Sequence, residues 1–378
     1  MTKLFVCGDI IHNNTGFPFI GEKLSKLIQD ADFSIGNLEG VELNNNSAFK
    51  TPSQSPGTID YLQSIGFDMM LLANNHITDH GLSLFKETIT KIKNNKLSYI
   101  GAGCSWEEVY EADCIETING IRLGFVNVCE AQVGQYLERN QDFGYAWMGY
   151  DGLYDKIKRL SKIVDYVIVF VHAGLEHYDL PLPEIRYFYK KLCDAGACCV
   201  IGGHPHVVQG YEFYKNSVIA YSLGNFYYPH PFGEYPNESC AFSLLIKIEK
   251  DEPIRIETIH HKMEHGVVEV IEKNLSSIDE TRLCLKLGDG YEELAEEMCV
   301  NAYDKLCRKL LVDALCGEVD NLSFSGQLKN VLRRTVFRKQ FVYLTREYRD
   351  SLLLRLIENE SYRYTIIRAL KAKQKLAV

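Results

Sequence analysis

The sequence predicts a layered α/β fold, and two patterns in the 378-residue chain support this prediction. Between residues 3 and 201, short apolar runs alternate with stretches in which apolar residues recur every three or four positions. The first pattern is typical of strands and the second of amphipathic helices. Strands that alternate with such helices form a sheet that the helices cover. After about residue 275 only the helical pattern continues, which predicts a helical C-terminal extension.

The individual elements follow from these patterns. The predicted strands are residues 4–7, 33–36, 68–73, 121–128, 166–171 and 197–201, and the predicted helices are residues 19–31, 82–95, 151–163 and 183–196. The run at 166–171 has no polar alternation, so we expect it to be buried on both faces. Asn119-Gly120 predicts a hairpin turn, and the segment 210–262 is expected to be rich in strands. We place the α/β domain at residues 1–265 and the helical extension at 266–378.

The composition excludes several classes of protein. With 46% hydrophobic and 24% charged residues and a net charge of −9, the chain is neither disordered nor a basic nucleic-acid-binding module. No apolar run approaches the roughly 18 residues of a transmembrane helix, and the N-terminus lacks the pattern of a signal peptide. Twelve cysteines without a CxxC pair are expected to be reduced thiols. These features predict a cytoplasmic protein without a transmembrane segment or a nucleic-acid partner.

The C-terminal segment differs in charge from the rest of the chain. Residues 327–378 contain 13 Lys and Arg but only 4 Asp and Glu, although the whole chain is acidic. The positive charge could lie on solvated helix faces, or it could form a docking surface for an anionic partner or a membrane lipid.

Five polar clusters follow predicted strands, where ligand sites of α/β sheets lie. The clusters are Gly8-Asp9, Asn37-Leu38-Glu39, Asn74-Asn75-His76 with Asp79, His172-Ala173-Gly174 and Gly203-His204-Pro205-His206. Each has a structural explanation by itself, such as a turn at Gly8-Asp9 or a buried imidazole at His172. Together, imidazoles and carboxylates suit divalent transition metals, and a pair of ions needs a bridging carboxylate. Asp9 or Glu39 could supply that bridge.

The two histidines of the last cluster are the strongest ligand candidates. Pro205 fixes the backbone between them, because its ring holds φ near −65°. Gly202 and Gly203 are expected to permit the sharp exit from the preceding strand. A structural role for both imidazoles would need two separate sets of hydrogen-bond partners. We therefore expect His204 and His206 to bind metal.

In order, the motifs GDII, NLEG, LANNHITDHG, VHAGLEHY, IGGHPHVVQG and AYSLGNFYY resemble the CapA family of bacterial capsule and poly-γ-glutamate synthesis proteins. That family belongs to the calcineurin-like metallophosphoesterase superfamily, and the resemblance covers roughly residues 3–250. It implies a four-layer α/β/β/α sandwich with a binuclear divalent-metal site at its edge. It does not distinguish Mn, Zn, Fe and Mg.

The resemblance also implies roles for individual residues. His76 matches the histidine that protonates a leaving group or holds an oxyanion. The implied metal ligands are Asp9, Glu39, Asn75, His172, His204 and His206. Residues expected to support the site or to contact substrate are His12, Asn37, Asn74, Asp79, Glu176, His177 and Asn225. Glu176 and His177 could also belong to a solvated turn without a role in the site.

Some positions depart from the pattern of the family. Ile11 occupies the histidine position of the superfamily's Asp-x-His motif, and His12 could substitute for that histidine. Ala173 replaces a tryptophan, and Gly203 replaces a histidine. Smaller side chains at both positions predict a more open pocket.

Three functions are compatible with these features. The first is metal-dependent hydrolysis of a phosphoester, or of a γ-glutamyl or peptide bond in an anionic polymer. The second is epimerisation of a peptide at Cα, because a metal that polarises a carbonyl acidifies the adjacent C–H. The third is a non-catalytic accessory role in polymer biosynthesis. Deuterium uptake without cleavage would indicate the second function, and failure to bind metal would indicate the third.

Overall fold

The computed structural model describes residues 1–13, 16–45, 51–229, 240–316 and 346–376. The chain divides into two compact units, residues 1–292 and 293–378. The first unit continues past the predicted boundary at residue 265, because the strand Val267–Val270 pairs with the strand Arg255–Glu264 of the same sheet.

The described residues of the first unit contain sixteen strands. These are β1 (Thr2–Ile10), β2 (Phe33–Leu38), β3 (Met69–Leu71), β4 (Ser98–Ile100), β5 (Ala102–Gly103), β6 (Cys114–Ile118), β7 (Ile121–Cys129), β8 (Gly144–Tyr145), β9 (Tyr166–His172), β10 (Cys199–Gly203), β11 (Tyr211–Tyr214), β12 (Ser217–Ala220), β13 (Asn225–Tyr227), β14 (Cys240–Ile248), β15 (Arg255–Glu264) and β16 (Val267–Val270). All six predicted strands are present. The predicted hairpin is also present between β6 and β7, where Asn119 and Gly120 both have positive φ.

The helices of the described residues follow the sequence pattern as well. They are α1 (Glu22–Gln29), α2 (Thr58–Ser64), α3 (Gly81–Asn94), α4 (Leu153–Leu160), α5 (Pro183–Asp194), α6 (Glu280–Leu285), α7 (Tyr291–Ala302), α8 (Arg308–Cys316), α9 (Arg346–Glu358) and α10 (Glu360–Leu376). Short π-helical turns lie at Glu107–Glu111 and Tyr303–Cys307, and a 3₁₀ turn lies at Lys273–Leu275. Helix α2 is an addition to the four predicted in the α/β region.

Two sheets form the centre of the first unit. The first has the strand order β16-β15-β14-β1-β2-β3-β4, with β13 also paired to β1, and the second has the order β11-β12-β10-β9-β7-β6. Strands β1 to β4 are mutually parallel, as are β7, β9, β10 and β12. Strands β5 and β8 form a separate two-stranded sheet.

The side chains of β1 alternate between two apolar cores, and this alternation shows how the layers pack. Leu4 and Val6 belong to the apolar core that both sheets share. Phe5 and Cys7 point to the opposite face, into a second core with residues of α1, α2 and α3. On the second sheet, α5 packs against β10, and Leu160 of α4 lies over Gly124 of β7. This arrangement confirms the α/β/β/α sandwich.

The described part of the second unit is helical. Tyr303, Cys307 and Ala369 form a small buried cluster between its helices. Some of its basic side chains form internal ion pairs, such as Lys373 with Asp304 at 2.6 Å and Lys375 with Glu296 at 2.9 Å. Residues 327–345 of the basic segment lie outside the described residues. None of the described helices combines the length and the apolar character needed to cross a membrane.

Candidate metal centre

The carboxyl ends of the central strands place polar side chains at one edge of the sandwich. In the first sheet, Asp9 on β1 is in register with Asn37 on β2 and with Asn225 on β13. In the second sheet, His172 at the end of β9 is in register with Gly203 on β10. The loop after β3 adds Asn74, Asn75 and His76 to this edge, as the contacts of these residues show.

Asp9 is fully buried and is held by two donors. Its Oδ1 accepts a hydrogen bond from Asn37 Nδ2 at 2.7 Å, and its Oδ2 accepts one from the backbone N–H of His204 at 3.2 Å. Oδ2 also lies 3.6 Å from His206 Nδ1. Burial raises the pKa of Asp9, although His206 and Asn37 oppose that shift. Asp9 therefore links the ends of both sheets.

Glu39 lies at the centre of the cluster. Its side chain is fully buried, and neither carboxylate oxygen has a hydrogen-bond partner among the described residues. Oε1 lies 3.9 Å from His76 Nε2 and 4.0 Å from both His172 Nε2 and His206 Nε2. Burial, and then repulsion by Asp9, raises its pKa well above the usual range. Since a buried carboxylate without donors is unfavourable, this position favours a bound cation.

Three possible metal-ligand atoms lie close together, one each from Asn75, His172 and His204. His172 Nε2 lies 3.0 Å from Asn75 Oδ1 and 3.2 Å from His204 Nδ1. Burial, followed by the neighbouring histidines, lowers the pKa of both His172 and His204 well below the usual range. Both imidazoles are therefore neutral near pH 7, the protonation state that binds metal ions.

The turn after β10 is sharp at its histidines rather than at its glycines. His204 and His206 have φ values of 93° and 59°, in the left-handed region, so the expectation that Gly202 and Gly203 make this turn is wrong. Glycine at 202 serves close packing instead, because a Cβ there would lie 2.0 Å from the carbonyl oxygen of Tyr221. Left-handed backbone at two non-glycine residues stores strain, which is common at functional sites.

His76 lies at the mouth of the cluster, with its side chain 15% exposed. Its Nδ1 lies 2.7 Å from Asp79 Oδ2, so Asp79 orients the ring. Nε2 points inward, toward Glu39. One nitrogen is thus held by a carboxylate, and the other lies 3.9 Å from Glu39 Oε1.

Three of the predicted supporting residues are amides that hold the ligand candidates in place. Asn37 Nδ2 lies 3.2 Å from His172 Nδ1 in addition to its bond with Asp9. Asn74 donates to the carbonyl oxygen of Leu38 at 2.9 Å and thereby joins the ends of β2 and β3. Asn225 places its Oδ1 2.9 Å from Nδ1 of His206 and donates to the carbonyl oxygen of the same residue.

Glu176 and His177 lie at the rim of the cluster. Glu176 Oε1 is 3.7 Å from His204 Nε2, and its side chain is 34% exposed. The backbone N–H of His177 donates to the carbonyl oxygen of Pro205 at 2.8 Å, and its ring centroid lies 6.3 Å from that of His206. Both residues therefore adjoin the two histidines that follow β10.

His12 is not brought into this cluster. Its Nδ1 lies 2.8 Å from Thr58 Oγ1, its Nε2 lies 3.1 Å from the carbonyl oxygen of Gly16, and its ring stacks on Phe19. These contacts anchor the start of α2 beneath an aromatic cluster. Ile11 is fully buried. His12 therefore has local structural partners at both ring nitrogens.

The sequence reasoning overlooked Glu130 and Gln132, which follow β7. Glu130 is fully buried, and its Oε1 lies 4.0 Å from His204 Nε2. Gln132 Nε2 lies 2.6 Å from the same nitrogen. The available signal was a carboxylate directly after the predicted strand 121–128, the same signal that identified Asp9 and Glu39.

The donor atoms fit divalent metal ions. Two groups of side chains each place three ligand atoms within 4.8 Å of one another: Asp9, Glu39 and His172 in one group, and Glu176, His204 and His206 in the other. Mixed imidazole and carboxylate donors suit first-row transition metals. The two carboxylate oxygens of Glu39 have no hydrogen-bond partner among the described residues, and a cation would satisfy them.

Comparison with known proteins agrees with this geometry. The model of the bacterial capsule synthesis protein family PGA_cap matches residues 3–230, more than half of the chain. The chain belongs to this family. The matched segment contains all the strand-end clusters, so the site described above lies within the PGA_cap region.

Relatives within and near the family are of moderate identity. The capsule biosynthesis protein CapA of Bacillus anthracis is 32% identical over 230 residues, which are 57% of this chain and 55% of that protein. The PGA biosynthesis protein CapA of Bacillus subtilis (strain 168) is 26% identical over 216 residues, 56% of this chain and 57% of that protein. The chain thus spans about half the length of the curated relatives it matches.

Among solved structures, a 5'-nucleotidase precursor from Thermus thermophilus is similar, with a TM-score of 0.43 and 12% identity over 82% of this chain and 59% of that chain. A likeness of this size says nothing about activity.

Proposed function

We propose that this PGA_cap protein is a metal-dependent hydrolase linked to capsule or poly-γ-glutamate metabolism. The observation that carries the proposal is the Glu39 carboxylate, which is fully buried without a hydrogen-bond partner in the described residues and has three imidazole nitrogens within 4.0 Å. The link to capsule metabolism is supported by the names of the relatives.

The proposed ligands lie together at one edge of the sandwich. One or two divalent ions would be held by Asp9, Glu39, Asn75, His172, His204 and His206, with Glu176 close to the last two. Such ions, when bound, would supply an activated water and positive charge for the reacting oxygens. The protein contributes a rigid arrangement, since each ligand follows a buried strand or lies in a hydrogen-bonded turn.

His76 is the proposed general acid. Asp79 holds its Nδ1, so a proton on Nε2 faces the centre of the site and the leaving group. General acid catalysis of this kind contributes about 10²–10⁴-fold to the rate. The partial exposure of His76 gives the leaving group a path to solvent.

The electrostatics of the site favour an amide over a phosphoester as the substrate. Among the described residues, the charged groups that shift the pKa of Asp9 and Glu39 are carboxylates and histidines, with no Lys or Arg. An anionic phosphodiester would approach these carboxylates with the metal ions as its main source of positive charge, whereas an amide carbonyl carries no net charge. We therefore propose that the bond cleaved is a γ-glutamyl or peptide amide, whose carbonyl is uncharged even where the polymer around it is anionic.

Metal analysis and a substrate panel test the proposal. Purified protein should contain up to two divalent ions per chain and should cleave a γ-glutamyl peptide faster than a phosphodiester at equal concentration. Faster phosphodiester cleavage would reverse the choice of substrate. Incorporation of deuterium from D₂O into the peptide without cleavage would indicate an epimerase, and absence of bound metal would indicate an accessory protein.

A further inference from the structure

A loop from the second sheet packs on the loop that carries Asn75 and His76. These two residues follow β3 of the first sheet, whereas His172 ends β9 of the second sheet. The loop 130–137 follows β7 of the second sheet and contacts the loop after β3. Contacts between the two loops therefore bear on how far Asn75 lies from the histidines of the second sheet.

The first of these contacts is a hydrogen bond. The backbone N–H of Gln135 donates to Thr78 Oγ1 at 2.8 Å, and Thr78 is buried. In the chain, Thr78 lies between His76 and Asp79, whose side chains are 2.7 Å apart. The bond thus ties the segment that carries this pair to a loop of the second sheet.

The second contact is the close approach of Gly134 to Asn75. Gly134 has a φ of 91°, in the left-handed region that favours glycine. A Cβ at this position would overlap the carbonyl oxygen of Asn75 and would lie 3.1 Å from Thr78 Oγ1. Because any side chain would require one of the loops to move, glycine at 134 permits the observed spacing of the two loops.

The loop 130–137 is also held on its other side. The backbone N–H of Tyr145 donates to the carbonyl oxygen of Gln135 at 3.1 Å, and that of Leu137 donates to the carbonyl oxygen of Tyr145 at 2.9 Å. The side-chain amide of Gln135 donates to the carbonyl oxygen of Phe143 at 2.7 Å. These bonds fix the loop to β8, so it provides a rigid support for the loop after β3.

We propose that Thr78 and Gly134 are positioning residues of the metal centre. Through them, the loop 130–137 sets the distance between Asn75 and His172. Asn75 Oδ1 lies 3.0 Å from His172 Nε2, a contact between proposed ligands of the two sheets. The inference rests on the proposed metal-dependent function. It makes a hydroxyl and a glycine, neither of them a proposed ligand, determinants of metal affinity.

Two variants of Thr78 test the hydrogen bond in the full-length chain. Thr78→Val keeps the branched shape of the side chain and removes the acceptor, whereas Thr78→Ser keeps the hydroxyl. Thr78→Val should weaken Zn²⁺ binding about 10–100-fold, measured by competition with a chromogenic chelator, as is usual when a group that orients a metal ligand is lost. Thr78→Ser should bind Zn²⁺ like the wild type. An equal loss in both variants would contradict the role of the hydroxyl.

Two glycine variants test the close approach. Gly134→Ala should weaken Zn²⁺ binding, because the added Cβ displaces the backbone of Asn75. The matched control is Gly120→Ala, since Gly120 also has a positive φ, of 79°, but a Cβ there would meet no atom within 4 Å. The backbone strain is similar in the two variants, so a loss confined to Gly134→Ala reports the contact with Asn75. Equal Zn²⁺ affinities would overturn the role of Gly134.

Hydrogen exchange of the metal-free protein separates this inference from the proposed function. In EDTA, the amides of residues 72–82 should exchange roughly 2–10-fold faster in Thr78→Val than in the wild type, because a hydrogen bond that holds this loop is lost. Residues 166–172 of β9 should exchange alike in both. Unchanged exchange, or faster exchange with unchanged Zn²⁺ affinity, would overturn the positioning role while leaving the metal centre in place. A wild type that binds no Zn²⁺ would overturn the proposed function and this inference with it.

Discussion

Two clusters of charged groups in the first unit have opposite electrostatics. At the metal centre, burial raises the pKa of Asp9 and Glu39, and Glu39 has no hydrogen-bond partner among the described residues. At the second cluster, Glu280 of α6 accepts from His260 at 2.5 Å and Thr258 at 2.9 Å, and Lys273 lies 3.0 Å away. Burial alone would raise the pKa of Glu280, but these partners lower it to about 2.

The contrast between Glu280 and Glu39 distinguishes a cluster that stabilises the fold from a cluster that is suited to bind a ligand. The chain itself supplies the cations and donors for Glu280, which joins α6 to β15 without any further group. Around Glu39 the described residues supply three imidazole nitrogens at 3.9 to 4.0 Å, no hydrogen-bond donor, and the repulsion of Asp9, an arrangement that suits an added cation. Removing a charged group should therefore have opposite effects on the stability of the metal-free protein at the two clusters.

The largest expected effect is the loss of metal from His204→Ala or His206→Ala. Each change removes an imidazole from a rigid turn and should reduce bound metal by at least one ion per chain, with turnover lost as well. The far-ultraviolet circular dichroism should stay unchanged, because the sheets below the turn keep their cores. Elemental analysis of the purified variants measures the metal. A full complement in His204→Ala would contradict the assignment of the site.

His76→Ala should separate catalysis from metal binding. The variant keeps every proposed ligand, so its metal content should equal that of the wild type, whereas its turnover should fall by about 10²-fold or more if His76 is the general acid. Initial rates with the best substrate of the panel provide the measurement. His80→Ala is the control, because His80 contacts Thr51 and not the proposed ligands. Equal rates in the two variants would remove His76 from the mechanism.

Glu39→Gln should stabilise the metal-free protein while weakening metal binding, because Glu39 is a proposed ligand. An unsatisfied buried polar group costs about 1–3 kcal/mol, and the neutral amide removes a buried charge from that position. Thermal unfolding in EDTA should therefore occur at a higher temperature in the variant. Added Zn²⁺ should then stabilise the wild type more than the variant, since a ligand stabilises only the state that binds it. A lower unfolding temperature in EDTA would mean that Glu39 has a partner in the folded protein.

Glu280→Gln should destabilise the protein, because it weakens the charge-assisted hydrogen bonds of this side chain. The expected loss is about 1–3 kcal/mol in the free energy of unfolding, with no change in metal content. The pH dependence has a defined sign. Because the folded pKa of about 2 lies below the ordinary value of a glutamate, the contribution of Glu280 is present above about pH 4.3 and is lost as the pH falls toward 2. Denaturant unfolding at pH 7 and pH 3 measures it, and the wild type should lose more stability than the variant between them.

Removal of residues 293–378 should have the smallest effect on either cluster. All residues of both clusters lie within the first unit, residues 1–292. The truncated chain should therefore keep its metal content and the acid sensitivity that Glu280 confers. Elemental analysis and unfolding at two pH values check this, and failure to obtain folded protein would show that the helical unit completes the core.

The local pattern was sufficient to predict most elements of the first unit. The run at 166–171 lacks polar alternation and is buried along its whole length in β9, because it is a central strand with a sheet or helices on both faces. Helix α2 was not predicted, since the short Thr58–Ser64 stretch gives too few turns for a clear period. Its position depends on tertiary contacts, such as the bonds from Gly57 and Ile59 to Glu42.

The sequence by itself determined the layered fold and the candidates Asp9, Glu39, His172, His204 and His206, because periodicity and strand ends are local properties of the chain. Only the tertiary structure showed that His12 is held by Thr58 and Gly16, and that Glu130 lies beside His204. The physical reason is that burial and partnership depend on which strands become neighbours. Glu39 follows β2 and Glu130 follows β7, so the two carboxylates look alike in sequence. In the folded chain the pairing of β7 with β9 places Glu130 beside His204, whereas Glu39 lies within 4.0 Å of three histidine rings.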